Sequence, residues 1–372
     1  MSPRGIPIGR VFGITIDLDY SWFLIMGLIA WALAVGYYPT EFKGWSLGEY
    51  WLVGSATALL LFASVLVHEL AHSLVARHYG LAVKRITLFL FGGVAQIAAE
   101  PTSPMQELWI AAVGPIVSLA LGGIFWLLKP LAAGWQPLFA LVEYLATLNI
   151  ILALFNLLPG FPLDGGRVLR AIVWRVSNDY LRATTAASVT GRFFGFLLIF
   201  LGVWQALSAN LIGGMWIAFI GWFLESAAGS QLQQEMLKHL MGGHKVRDAM
   251  DRSFVTAPSH VSLQDLVEMY MLPSNVGYVM LATGDTAVGL ATLSGVQEVP
   301  REEWAITPAR SIMVPLEKLE TTDPNTVLWS AFEKMGHDGV NELPVLEGGQ
   351  VVGVLTREDV VHYLSLLKTL AA

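Results

Sequence analysis

The chain has 372 residues, 55% of them hydrophobic and 14% charged, well under the roughly 25% charged residues of an average soluble domain, so the composition points to a membrane protein. A net charge of −7 offers no basic surface for nucleic acid. With no cysteine in the chain, disulfides, thiolate metal sites and thiol nucleophiles are excluded, and any metal must be held by histidine and carboxylate.

In chain order, Arg10–Asp19 is too polar and β-branched for a membrane span and reads as a strand. No cleavable leader is expected, because the first apolar run begins near Tyr20 and lacks a small-residue cleavage site. About 20 apolar residues cross a bilayer as a helix. Six runs qualify, at 20–38, 54–78, 106–129, 137–158, 188–208 and 211–229, and Val83–Ile97 between the second and third reads as further strand. The 13 Trp and 10 Tyr suit an interfacial belt. Basic residues flank the spans unevenly. Arg4, Arg10, Arg77, Lys84, Arg85, Arg167, Arg170, Arg175, Arg182 and Arg192 fall on one side, while Lys43 and Lys129 fall on the other. The positive-inside rule then puts both chain ends in the cytoplasm. The expected location is a multi-pass protein in the plasma membrane of a prokaryote.

Hydropathy changes after residue 229. Residues 1–229 read as the membrane domain, 230–245 as a polar linker and 246–372 as a soluble module. The module contains a repeat, about 246–303 and 304–372. Pro258, Val261 and Met269 recur as Pro324, Val327 and Met335 at a spacing of 66, and Val288-Gly289-Leu290-Ala291-Thr292 recurs as Val352-Gly353-Val354-Leu355-Thr356 at a spacing of 64. Each copy runs helix, strand, strand, helix by pattern.

The chemistry concentrates in two places. His68-Glu69-Leu70-Ala71-His72 lies within the second span. On a helix these three polar residues fall within roughly a 100° arc, so two imidazoles can share a metal while the carboxylate faces water beside it. A carboxylate at mid-bilayer costs on the order of 2.5–3.5 kcal/mol, which argues for a role beyond packing. Catalytic zinc usually takes three protein ligands. Asp164, in Asn156-Leu-Leu-Pro-Gly-Phe-Pro-Leu-Asp164-Gly165-Gly166, is the best third. Pro159 and Pro162 end the fourth span there, leaving non-helical backbone at membrane depth, which is tolerated only where protein or a water cavity surrounds it. The competing role for Asp164 is to cap a helix starting near Arg167. Asn149, one heptad before Asn156, lines a cavity or bonds to a neighbouring helix. Gly114-Pro115 reads as a packing kink, and Glu107, Glu143 and Glu225 as solvated span-end residues.

The paired H-E-x-x-H and N-x-x-P-x-x-x-x-D-G-G motifs resemble those of the site-2 proteases, intramembrane zinc metalloproteases. The resemblance covers about residues 5–229 and includes Gly9-Arg10-Val11-Phe12-Gly13-Ile14, Ser21-Trp22, Phe91-Gly92-Gly93-Val94 and Ala112-Val113-Gly114-Pro115. It implies one Zn2+ on His68, His72 and Asp164, Glu69 as catalytic base, Asn156 positioning the substrate or oxyanion, and a transmembrane protein as substrate. The implied fold is an α-helical polytopic membrane protein, with six spans and a small membrane-associated β-sheet, joined to a cytosolic α/β module. A substrate helix must unwind to be cut, and an edge strand over Phe89–Gln96 is the candidate to receive it, with Gly92 and Gly93 permitting close approach. The tail resembles a pair of cystathionine-β-synthase-type (CBS) repeats, which implies homodimerisation or binding of ATP or another adenine nucleotide, with Thr356 and Asp359 on the ribose. The first repeat has Thr292-Leu293-Ser294-Gly295 there and lacks the acid. Two other classes remain open at this stage: a CBS-regulated transporter or channel, and a proteolytically inactive scaffold. Glu69→Gln separates them, since it removes cleavage and spares a scaffold.

Overall fold

The computed structural model describes residues 5–90, 92–97, 99–208, 210–284 and 286–371. They form two compact units that divide between Glu235 and Met236. Arg4 and Phe91, used in the topology and edge-strand readings above, lie outside the described residues.

The first unit opens with a hairpin, β1 (Gly5–Val11) and β2 (Ile14–Asp19). Its two-residue turn, Phe12-Gly13, has φ of 51° and 79°, the positive values that a tight hairpin turn of matching twist requires. The stretch 10–19, expected as one strand, is therefore the end of β1, the turn and β2. Val83–Ile97 likewise folds back on itself into β3 (Val83–Phe89) and β4 (Gly92–Ile97). The sheet order is β1-β2-β3-β4, with β2 and β3 parallel. Ile14, Leu18, Ile86 and Leu88 pack with Leu70 in its core. β4 is an outer strand, so the candidate edge strand is Gly92–Ile97 rather than Phe89–Gln96.

Six helices among the described residues are long and apolar enough to cross a membrane. They are α1 (Tyr20–Glu41), α2 (Leu47–His78), α3 (Pro104–Ala132), α4 (Gln136–Asn156), α6 (Tyr180–Ser208) and α7 (Leu211–Met241). α2 starts at a capping box, in which Ser46 Oγ accepts from Glu49 N and Glu49 Oε2 accepts from Ser46 N. Between α4 and α6 runs the shorter α5 (Asp164–Ser177). α5 docks without side chains at its start. A Cβ on Gly165 would strike the Leu157 and Leu158 carbonyls, and one on Gly166 would strike the Gly160–Phe161 backbone. α7 continues through the polar stretch expected as linker as far as Met241.

The second unit carries the repeat. β5 (Thr256–Pro258), helix α8 (263–274), β6 (Tyr278–Thr283), β7 (Thr286–Thr292) and α9 (Leu293–Gln297) make the first copy. After the short β8 (Val314–Pro315), the second copy has α10 (Leu328–Asp338), β9 (Glu342–Glu347), β10 (Gln350–Thr356) and α11 (Arg357–Ala371). Each copy's last strand meets the segment that leads into the other copy, Gly289 of β7 opposite Pro315 and Val354 of β10 opposite Asp251. The repeated glycines sit at those crossings. A Cβ on Gly289 would meet Val314 O at 2.5 Å and one on Gly353 would meet Asp251 O at 2.9 Å. Gly353→Val is therefore expected to destabilise the chain by about 1–3 kcal/mol through overpacking. Gly336→Ala, in the exposed last turn of α10 with open space around it, is expected to stabilise by up to roughly 0.5–1 kcal/mol. Thermal midpoints of the full chain in detergent check both directions.

Candidate metal centre

α2 presents His68 and His72 one helical turn apart, with ring centroids 4.7 Å from each other. Their Nε2 atoms are 3.1 Å apart, and each is 3.1 Å from Oδ2 of Asp164 at the start of α5. The two imidazoles are 3% and 4% exposed. His72 Nδ1 donates to the Ile110 carbonyl at 2.5 Å. A carbonyl only accepts, so Nδ1 carries a proton and the ring turns Nε2 inwards. His68 Nδ1 is bonded to Ser118 Oγ at 2.9 Å, which orients the second ring the same way. Three atoms able to donate electron pairs thus converge with little water around them, an arrangement that positive charge at their centre relieves. Tetrahedral zinc, with ligand bonds of about 2.0–2.2 Å, holds ligand atoms roughly 3.3–3.6 Å apart, within a few tenths of an ångström of the observed triangle. Two imidazoles and a carboxylate are a donor set that zinc accepts, and outer hydrogen bonds to the ligand rings are the usual complement.

One face of α3 backs both rings. Ile110 and Ser118 bond to them, and Gly114 lies between, where a Cβ would overlap Nε2 of both His72 and His68. Gly114-Pro115 is therefore a place for the imidazoles to sit, a requirement that the expected packing kink misses. Glu107, expected to be solvated, is fully buried and paired with Arg170 of α5. The desolvation cost of a span-end carboxylate is met here by a guanidinium 63 positions later. Glu143 and Glu225 do pair with Lys129 and Arg192 at partly exposed positions. The signal in the sequence for the α3 face is a small or polar residue at 107, 111, 114 and 118, a helical spacing that apolar content alone conceals.

Glu69 follows His68 on α2 and meets β4, where a Cβ on Gly93 would stand 2.5 Å from Glu69 Cγ. Gly92, with φ of 128°, begins that strand. Asn156 ends α4, next to the carbonyls that touch Gly165. The helix of Asp164 takes its N-cap from Leu163 without a side-chain hydrogen bond, so Asp164 serves no capping role there. Asn149 Nδ2 donates to its own helix at Leu145 O and to Ser64 Oγ of α2, at 2.8 and 3.3 Å. In the second unit Thr356 and Asp359 bond each other. Asp359 Oδ2 accepts from Thr356 N and Oγ1 at 2.9 and 2.7 Å, and Thr356 Oγ1 accepts from Asp359 N at 3.0 Å, capping α11.

Known proteins resemble this chain along most of its length. The family described as Peptidase family M50 matches residues 56–134 and 129–201. A relative named zinc metalloprotease Rip3, from Mycobacterium tuberculosis, is 36% identical over 98% of this chain and 93% of its own. Another named zinc metalloprotease, sll0528 of Synechocystis, is 35% identical over 97% and 96%. This chain belongs to peptidase family M50, the site-2 proteases. The protease is a zinc metalloendopeptidase and an integral membrane protein. A solved structure titled as the site-2 protease of Methanocaldococcus jannaschii is 28% identical, with a TM-score of 0.43, and covers 61% of the protease and 95% of that chain. A CBS-domain family also matches, at residues 309–366.

Gly114 gives the protease a local test. Gly114→Ala puts a methyl group on the ring nitrogens and is expected to abolish zinc binding. Gly123→Ala, on the same helix with open space around it, is expected to leave zinc content unchanged. Ser118→Ala removes the His68 partner and is expected to weaken zinc about 10- to 100-fold. Metal analysis and chelator competition on purified protein measure all three.

Proposed function

We propose that this protease cuts transmembrane segments of other membrane proteins, with zinc held by His68, His72 and Asp164 and with Glu69 as general base. The observation that carries the reading is the 3.1 Å convergence of two ring nitrogens and one carboxylate oxygen. When bound, zinc supplies Lewis acidity, acidifying water and polarising the scissile carbonyl. Glu69 takes the proton of the attacking water as the new C–O bond forms, and passes it to the leaving amine as the C–N bond breaks. Asn156, at the end of α4, donates to the developing oxyanion.

A substrate helix must first release its backbone hydrogen bonds, and inside a bilayer those groups need new partners. The outer strand Gly92–Ile97 supplies them by strand addition. Its Gly93 lies against Glu69, so a substrate paired with it is brought beside the base. The asymmetry of Lys and Arg favours an N-terminus and tail in the cytoplasm of a prokaryotic cell, with water entering from that side.

The tail regulates cleavage in this reading, through dimerisation of the CBS module or through an adenine nucleotide whose ribose meets Thr356 and Asp359. The Thr356 contacts occupy Oδ2 of Asp359, which leaves its other oxygen for a ribose hydroxyl.

Three measurements bear on this reading. Glu69→Gln is expected to retain stoichiometric zinc and to lose cleavage of a model membrane segment by several orders of magnitude; cleavage at the wild-type rate would remove Glu69 from its role. Gly93→Leu is expected to block cleavage with zinc still bound, and undiminished cleavage would exclude strand addition at β4. ATP is expected to change the wild-type cleavage rate and to have no effect on Asp359→Ala; a rate indifferent to ATP in both proteins rules out nucleotide control.

A further inference from the structure

The membrane unit buries an ion pair that no step above uses. Glu107 of α3 is fully buried, and Arg170 of α5 is 5% exposed. Arg170 Nε donates to Glu107 Oε1 at 2.6 Å, and Nη2 donates to the same oxygen. The guanidinium lies between two aromatic rings, 4.9 Å from the centroid of Phe161 and 4.8 Å from that of Tyr180. Arg170 therefore touches α3, the loop before α5 and the first residue of α6 at once.

A buried ion pair adds little net stability over a well-packed apolar pair, because desolvation cancels most of the attraction. What it adds is direction, since two charge-assisted hydrogen bonds hold in only one alignment. The alignment matters here. On α3, Glu107 is one turn before Ile110 and two before Gly114, the residues against His72 and His68. On α5, Arg170 follows Asp164 by fewer than two turns, and Phe161 precedes Asp164 in the loop. A slip of α5 along α3 by one residue, about 1.5 Å, would carry Asp164 Oδ2 out of reach of one or both imidazoles.

We propose that Glu107 and Arg170 are positioning residues for the metal: by locking α5 to α3 they hold Asp164 at its distance from His68 and His72. This rests on the reading of those three residues as zinc ligands.

The test uses full-length protein in detergent. Three quantities are read: the zinc dissociation constant by competition with a chromophoric chelator, the thermal midpoint of the metal-free protein, and kcat and KM on a model membrane segment. Glu107→Gln is expected to weaken zinc at least about tenfold and to lower kcat with little change in KM. Arg170→Lys keeps the charge without the fork and is expected to fall between Glu107→Gln and wild type. The double variant Glu107→Leu/Arg170→Met is expected to regain the thermal midpoint while zinc stays weak, because an apolar pair restores packing and not alignment. Wild-type zinc affinity in Glu107→Gln would overturn the proposal. So would a double variant that regains both stability and zinc affinity, since that is a packing role alone. Asp164→Ala reports on the ligand reading separately: wild-type zinc affinity there would overturn both, whereas zinc lost in Asp164→Ala but kept in Glu107→Gln overturns only the positioning.

Discussion

Two imidazole nitrogens and one carboxylate oxygen stand 3.1 Å from each other in a largely buried place. Atoms that all offer electron pairs repel at that distance, and a buried site gives them little water to turn to. Holding them together takes a shared proton or a cation between them, and the scaffold has to enforce the geometry. The helical turn between His68 and His72 fixes one edge of the triangle. The Ile110 carbonyl and Ser118 hydroxyl fix the ring orientations from behind. Asp164 is the difficult member, because it comes from a different helix 92 positions after His72. Its position depends on how α5 is seated, which is where the chain spends its glycines and its buried charge.

Close approach is the second condition, and it is met by leaving side chains out. Gly114 lets α3 lie against the rings, Gly93 lets β4 lie against Glu69, and Gly165 and Gly166 let α5 meet the loop that follows α4. In each case the absent Cβ is the space used by a functional group or by the backbone that carries one. Pro115, inside α3, lacks the N–H that would bond the carbonyl four residues earlier, at the same level. In an apolar environment, where hydrophobic burial does not drive helices together, small residues at the contacts are the means of tight packing.

How far the sequence disclosed this depended on distance along the chain. The four-residue spacing of His68 and His72 is local, and a helix converts it directly into one face. The six long apolar segments were legible from hydropathy, although α7 runs on beyond 229 because a polar helix carries no apolar signal. The stretches 10–19 and 83–97 each read as one strand, because Phe12 and Leu90 near the turns are apolar and do not mark a break. The α3 face was missed altogether. Hydropathy scores a helix facing lipid and a helix facing another helix alike, so Gly114 reads as part of a packing kink and nothing singles out Ser118. Glu107 passed as solvated for a related reason. Its partner Arg170 lies in another helix, and no local pattern announces a pairing across 63 residues. In the tail, the repeat was visible because Gly289 and Gly353 occupy equivalent crossings that tolerate no side chain.

Both histidines and the distant aspartate are expected to coordinate one zinc ion. X-ray absorption at the zinc edge of the purified, zinc-loaded protein tests it directly. The expected spectrum has a first shell of nitrogen and oxygen at about 2.0–2.2 Å, with the outer-shell scattering of two imidazole rings, and a first shell that changes in Asp164→Ala. A spectrum without imidazole scattering, or one that Asp164→Ala leaves unaltered, would contradict it.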